Sequence, residues 1–345
     1  MRAIRPFAAF ITALAFILSH APSATHAQLL PPTIVLQGFR HIWQGWNNCG
    51  PATVSMAVSY YGRPEGQEFA ANWLKPNPDD KNVRPDELAA YVHALGLRAD
   101  NLYAGDLDRL KRLVSLGIPV LVSTWYEPDP TDGMGHYRLL TGYDDFTRTF
   151  FFHDSYVQPG VNLRMGYDKF DEDWRVYSRA YMPIYSAELA DAVAAIVEGD
   201  LDETFLQRRA LRVAEEEAAA RPNSPFSWFN LGTALTRVGR TGEAALAFDR
   251  ARAGGLPPRL LWYQFWPLEA YLAENRLDDV LSLAEYSLAQ AWEIEESQYY
   301  RGKALERLGQ RAQARAAFET ALRVNPKYTP ALHAIHTMSL AAGNS

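Results

Sequence analysis

From Gln28 to about Tyr185 the apolar positions follow a mixture of helical and strand periods, and from about Ser186 onward they follow the helical period alone. The pattern therefore predicts an α+β segment over residues 28–185 and an all-α segment over residues 186–345, with the boundary between about 183 and 190. The first strong helix runs from Cys49 or Gly50 to Tyr61: Asn48 is a good N-cap, Pro51 sits where its missing N–H costs little, and Gly62 closes the end. Arg84-Pro85-Asp86-Glu87 opens a second helix that ends at Gly96, and Asp106 to Leu116 reads as a third, stopped by Gly117. Ile118 to Trp125 then reads as a buried strand, and His136 to Tyr143 and Thr149 to His153 read as two more. Asp132-Gly133-Met134-Gly135 reads as a turn, which places His136 at the rim of a sheet, where functional groups gather.

The helical segment repeats itself. Trp228, Leu231, Gly232, Leu235, Ala244, Phe248 and Ala251 have the spacing of small and large packing positions in a helix-turn-helix unit of about 34 residues. Gly302, Leu305, Ala314, Phe318, Ala321 and Pro326 recur in the same frame. A weaker copy around Tyr271, Asn275-Arg276 and Val280 carries Pro267 inside its first helix. Residues 222–327 thus resemble the tetratricopeptide repeat, with the helix from Thr329 as a cap; Asp191 to Ala220 reads equally well as a further degenerate copy or as something else. Such stacks expose a concave groove, so the resemblance implies a protein or peptide partner on the repeats.

Composition narrows the compartment. Arg2 and Arg5 precede an apolar run from Phe7 to Leu18, and Thr25-His26-Ala27 offers a small-residue cleavage site, so residues 1–27 read as a signal peptide. The run is too short for the roughly 20 residues of a membrane span, and no later stretch is apolar enough to be one. Export is expected, to the cell envelope or beyond, with contact to membrane that is peripheral at most. Removing the leader takes away two arginines and moves the formal charge from −6 to −8, which disfavours nucleic acid as a partner. The chain has one cysteine, so Cys49 cannot form an internal disulfide and cannot by itself build a thiolate zinc site.

Cys49 falls at a predicted helix N-terminus, where unpaired N–H groups and the helix dipole favour a thiolate. Of the histidines beyond the leader, His93, His333 and His336 lie within helical patterns, whereas His136 opens a strand. If the hairpin turns around Asp144-Asp145-Phe146, residues whose numbers sum to about 290 are opposed and His136 faces Asp154, a carboxylate able to fix the imidazole and stabilise its charged form. By the same alternation His153 points away. Gln44, five residues before Cys49, is placed to supply a side-chain amide to an oxyanion, with Asn47 and Asn48 as competitors and Asn48 better suited to capping. Trp43 and Trp46 flank the proposed site and, with Asn48, are candidate substrate contacts; most of the nine tryptophans read as packing residues. There is no His-Glu-x-x-His and no Gly-x-Ser-x-Gly, so neither a metal nor a serine nucleophile is expected, and no cofactor.

The block Gln44-Gly45-Trp46-Asn47-Asn48-Cys49-Gly50-Pro51-Ala52-Thr53, then Gly135-His136-Tyr137 leading to Gly142-Tyr143-Asp144, then His153-Asp154-Ser155, resembles family thirty-nine of the cysteine peptidases, the bacteriocin-processing family, and especially its exported standalone relatives. The resemblance spans roughly residues 35–182 and implies a papain-like fold with Cys49 as nucleophile, His136 as base and then acid, Asp154 as orienting residue and Gln44 as oxyanion donor; Trp174 after Phe170 fits the closing segment of such domains. The founding members process leader peptides as parts of ATP-driven exporters, and this sequence carries neither membrane spans nor a Walker-type phosphate loop, so leader processing does not carry over. The leading expectation is an exported cysteine peptidase with a helical docking domain. The alternatives are a binding protein that keeps the peptidase fold without catalysis, and a transglutaminase-like or amide-transfer thiol enzyme on the same triad.

Overall fold

The computed structural model describes residues 30–129 and 132–343; the expected leader, Met1 to about Ala27, lies outside the described residues. The α+β half is β1 (Thr33–Val35), α1 (Cys49–Ser59), α2 (Gln67–Leu74), α3 (Pro85–Ala94), β2 (Arg98–Ala99), α4 (Leu107–Ser115), β3 (Val120–Asp129), β4 (Asp132–Asp144), β5 (Thr149–His153), β6 (Leu163–Gly166), α5 (Tyr167–Arg175) and β7 (Tyr181–Tyr185). The strands form an antiparallel sheet in the order β2-β7-β3-β4-β5-β6, with β1 added on β4.

Strand alternation feeds two cores. Leu121, Leu139, Met182 and Ile184 pack with Val54, Val58, Leu88 and Val92 of α1 and α3. Their neighbours Val120, Val122, Leu140, Tyr181 and Tyr185 pack with Leu110 and Leu113 of α4 and Phe170 and Trp174 of α5. The three helices expected here start and stop within two residues of the predicted limits, and Gly62, Gly96 and Gly117 each take positive φ just past their ends (73°, 79° and 78°) as helix-closing glycines do.

Two expectations change. Asn48 occupies the N-cap position of α1 without making a capping bond; its side chain instead donates to Gln67 Oε1 at 3.3 Å and accepts from Lys75 Nζ at 3.4 Å. The glycine-containing stretch from Asp132 is not a turn but the first part of β4, so His136 lies inside a long strand, paired with Thr124 of β3, rather than at a strand start.

After β7 the chain is helical: a 3₁₀ turn, then α6 (Ala190–Val197), α7 (Glu203–Ala220), α8 (Pro225–Arg237) and α9 (Thr241–Ala253), a second 3₁₀ segment over Pro258–Trp262, then α10 (Trp266–Ala273), α11 (Leu277–Gln290), α12 (Glu295–Arg307), α13 (Arg311–Val324) and α14 (Thr329–Gly343). No described helix is long and apolar enough to cross a membrane. Equivalent packing recurs in the two strong repeat copies: a Cβ on Gly232 would stand 2.7 Å from the Phe248 ring, and one on Gly302 would stand 2.5 Å from the Phe318 ring. Pro267 does not interrupt the middle copy; it lies in the first turn of α10, where proline is tolerated.

The helical half packs directly on the sheet half. Trp125 of β3 and Val176 after α5 share a core cluster with Phe229, Leu235 and Leu260. Buried Asp200 accepts from Arg109 of α4 at 2.6 Å and from Arg209 of α7 at 2.5 Å, while Arg209 also donates to the backbone oxygens of Tyr103 and Ala104. Asn230 of α8 donates to Arg175 O at 2.7 Å, and Asn77 donates to Val324 O at 2.5 Å.

Candidate active site

Cys49 is the first residue of α1, so its side chain lies where the helix presents unpaired N–H groups. The end of α1 is pinned against β4: Thr53 donates its hydroxyl to Tyr137 O at 3.2 Å, and Tyr137 donates its own to Val83 O at 2.8 Å. This brings the sulfur beside His136. Burial pushes the Cys49 thiol up, but the hydrogen bond and charge of His136, with the backbone N–H groups of Tyr137 and Gly50, outweigh it and leave the thiol below its ordinary value.

His136 Nε2 is held by Asp154 Oδ1 at 2.8 Å, so the ring nitrogen left for Cys49 is Nδ1. Burial works against charge on the ring, yet the bonds to Asp154 and Cys49 and the nearby carboxylate raise its pKa above the ordinary imidazole value, with Arg138 opposing. Asp154 is fully buried, which would raise it; His136, Arg138 and the local backbone instead hold it far below the carboxylate range. Its Oδ1 also accepts the backbone N–H groups of Tyr156 and Val157, each at 2.8 Å.

The sequence reading brought His136 and Asp154 together by a register that is two residues off. The observed ladder pairs Leu139 with His153, with an irregularity between Leu140 and Gly142, so numbers near the site sum to 292. Arg138, not His136, is the residue opposite Asp154, and His136 reaches the carboxylate diagonally. An even slip leaves every side chain on its original face, which is why the pair survives the error. Arg138 is the member that sequence reasoning missed: almost wholly buried, it donates Nε to Asp154 Oδ2 at 2.8 Å and Nη1 to Thr124 Oγ1 at 2.6 Å. Thr124 in turn donates to His136 O at 3.0 Å. His153 points away from this group, toward Phe39 and His41, and burial with the His41 charge pushes it down to about 4.

Gln44 is fixed by Ser155, which accepts its backbone N–H at 2.9 Å and donates Oγ to its Oε1 at 2.8 Å. With the carbonyl end occupied, the NH₂ end is the group available to a ligand. The remaining candidates are placed elsewhere. Trp46 is 75% exposed beneath Lys81, and Trp43 is 43% exposed and edge-on to His41. None of Gln44, Trp43, Trp46 and Asn48 is among the residues lining the cleft that contains Cys49 and His136. That cleft, of about 320 Å³, is walled on its far side by the helical half, through Tyr263, Trp266, Glu269, Glu296 and Tyr300. The approach is close: a Cβ on Gly135, next to His136, would stand 2.5 Å from Tyr177 Oη and 3.0 Å from the Tyr263 ring. Sequence periodicity gave no signal for this wall, because it depends on how two halves pack.

With this geometry in hand, the chain can be set beside known proteins. Residues 33–182 match the Peptidase C39 like family, and residues 295–328 match the tetratricopeptide repeat. The chain therefore joins an α+β domain of the papain-like cysteine peptidase class to an all-α helical-repeat region. Comparison with curated proteins gives no match. Among solved structures, the peptidase domain of Streptococcus ComA, a bi-functional ABC transporter involved in a quorum sensing pathway, is 15% identical, with 43% of this chain and 98% of that chain covered and a TM-score of 0.35. Xylellain, a cysteine protease from Xylella fastidiosa, is 16% identical, covering 52% of this chain and 95% of its own, with a TM-score of 0.31. MamA from Desulfovibrio magneticus RS-1 is 20% identical, with 40% and 76% covered and a TM-score of 0.36.

Proposed function

We propose that the protein is an exported cysteine peptidase in which Cys49, His136 and Asp154 act as a triad. The observation that carries this reading is the His136 ring, which shares one cleft with Cys49 at the start of α1 and bonds buried Asp154 at 2.8 Å. The Cys49 thiolate attacks the scissile carbonyl carbon, and the resulting oxyanion is held by backbone N–H groups at the helix start and by the Gln44 amide. The His136 imidazolium gives its proton to the leaving amine as the C–N bond breaks, leaving a thioester on sulfur. His136 then takes a proton from water, whose oxygen attacks the thioester; a carboxylic acid leaves and the thiolate returns. Asp154 keeps Nε2–H in place throughout and offsets the charge on the ring. The family match over residues 33–182 supports the same class. The repeat region supports protein or peptide interaction, and its docking role belongs to the proposal.

The test is hydrolysis of a mixed peptide library by the mature protein with Cys49→Ala as control, beside labelling of the folded protein by an alkylating probe at neutral pH. Library cleavage that depends on Cys49, and labelling that slows on His136→Ala, are expected. A thiol that stays inert until the protein unfolds would overturn the reading, and equal silence of both proteins in hydrolysis would favour a binding domain.

A further inference from the structure

The far wall of the cleft contains a carboxylate that the triad does not use. Glu296, in the first turn of α12, is 4% exposed and lines the cleft, yet its Oε2 has no hydrogen-bond partner. Its Oε1 accepts from Asn82 Nδ2 at 3.2 Å and stands 3.8 Å from Arg84 Nη1. The group is near the chemistry, because Val83, the neighbour of Asn82, packs 3.3 Å from the Cβ position of Gly50, next to Cys49.

Of the lysine and arginine side chains lining the cleft, Lys81 lies 5.8 Å from the centroid of the Trp46 ring, and the two arginines are engaged. Arg84 spends its guanidinium on Asp86, through two bonds of 3.1 Å, and on Glu87 at 3.4 Å. Arg237 lies over the rings of Tyr103 at 3.6 Å and Trp266 at 4.8 Å. Among the described residues, Glu296 Oε2 and the Tyr177 hydroxyl are buried cleft atoms without a hydrogen bond, and of the two the carboxylate oxygen is the one suited to a cation; a buried polar atom left unpaired is costly unless something arrives to pair with it. Tyr300 and Tyr328 line the same cleft and add ring faces that favour a cation.

We infer that Glu296 is the centre of a cation subsite that accepts the ammonium or guanidinium of a lysine or arginine side chain in the peptide substrate; this rests on the peptidase reading above. Burial and then Glu295 push Glu296 well above the ordinary carboxylate range, with Asp80 adding to the effect and Arg84 opposing it. Tyr300 and Tyr328 are further titratable groups that face it, and Lys81, Asp86 and Glu269 line the same cleft. A bound side-chain cation pairs with Oε2, the carboxylate oxygen that Asn82 and Arg84 leave free. The helical half thereby selects the substrate at the cleft itself.

The test uses the full mature chain carrying Cys49→Ala, which binds without turnover, and fluorescent nonapeptide mixtures that are acetylated, amidated and degenerate except at a central lysine, arginine or norleucine. The lysine and arginine mixtures are expected to bind at least about tenfold tighter than the norleucine mixture, a ratio that falls toward unity in Cys49→Ala/Glu296→Gln. Equal affinities in Cys49→Ala alone overturn the subsite, whether or not the second variant folds. A norleucine mixture with a free N-terminal amine separates the sources of charge: preference for it over the lysine mixture overturns the side-chain assignment. Hydrolysis by the wild-type chain is scored separately, so discrimination in binding without cleavage keeps the subsite and removes the peptidase, and cleavage without discrimination does the reverse.

Discussion

Asp154 is held by more than the histidine it serves. Its two oxygens divide the work: Oδ1 takes His136 and two backbone N–H groups, and Oδ2 takes Arg138. Arg138 is thus a positioning residue, and removing it leaves a buried carboxylate short of its countercharge. Arg138→Met is expected to destabilise the fold by about 3–5 kcal/mol in urea denaturation, with part of the loss recovered in Arg138→Met/Asp154→Asn because the uncompensated charge goes too. The titratable groups around Asp154 also set pH limits. Asp154 is depressed, so its stabilisation is present above the unfolded value of about 3.9 and is lost as pH falls through the folded one. His136 is raised, so its contribution is full below about 6.5 and is lost as pH rises through its folded value. The thiolate–imidazolium pair therefore exists between a lowered thiol and a raised imidazole. Alkylation of Cys49 should reach half its plateau rate below the ordinary thiol value of about 8.5, and in His136→Ala the midpoint should rise by at least about one unit, since burial is then opposed only by the backbone N–H groups of Tyr137 and Gly50. An unmoved midpoint would detach His136 from the sulfur. At this scale the placement of Cys49, His136 and Asp154 was legible because helix ends and strand parity are local rules. Arg138 was not, because an arginine within a strand reads as an outward polar position until the opposing strand is known.

Elements with strong punctuation were equally legible. The turn after the first helix of each repeat copy takes positive φ at Gly239 (77°), Asn275 (56°) and Gly309 (77°), which explains why the weak middle copy could still be framed on Asn275-Arg276. Shorter elements escaped for physical reasons. In α2 only Ala70 and Leu74 are buried while Phe69 and Trp73 are exposed, so its hydrophobic pattern gives no helical face. Strand β7 contains Pro183, which reads against a strand; it is tolerated because β2 pairs only with Ile184 and Tyr185, and the next contact on that side is Leu102 with Tyr181. The repeat glycines give a test of sign. Gly302→Ala gains about 1 kcal/mol of helix propensity, but its Cβ would stand 2.5 Å from a fully buried Phe318 ring that has no room to retreat. Overpacking should win, with a net loss of about 1–3 kcal/mol on denaturation and partial recovery in Gly302→Ala/Phe318→Leu. A neutral or stabilising Gly302→Ala would mean that the α12–α13 contact is looser than its geometry states.

At the scale of the whole molecule, the relation between the two halves decides what kind of machine this is. Periodicity suggested a sheet-containing segment followed by a helical one, and the family resemblance implied a peptidase with a helical docking domain; neither carries information about long-range packing. The structure instead gives Pro31–Ser345 as one compact unit, in which Trp125 and Val176 of the sheet half sit in a core shared with the repeats. Arg179 pairs with Glu217 and Ser178 bonds Asn230 at 3.1 Å, so the joint is polar as well as apolar, and it runs alongside the cleft wall formed by Tyr263, Trp266 and Tyr300. A chain ending after residue 186 would keep Cys49, His136, Arg138 and Asp154 but lose that wall and expose the apolar side chains of the joint. Such a fragment is expected to unfold at lower denaturant concentration than the full chain, to bind an apolar dye such as ANS, and to lose most peptide affinity even where Cys49 is still alkylated at neutral pH. A fragment as stable as the parent, with peptide affinity unchanged, would show that the repeats are an appended arm and that the sheet half builds its own cleft.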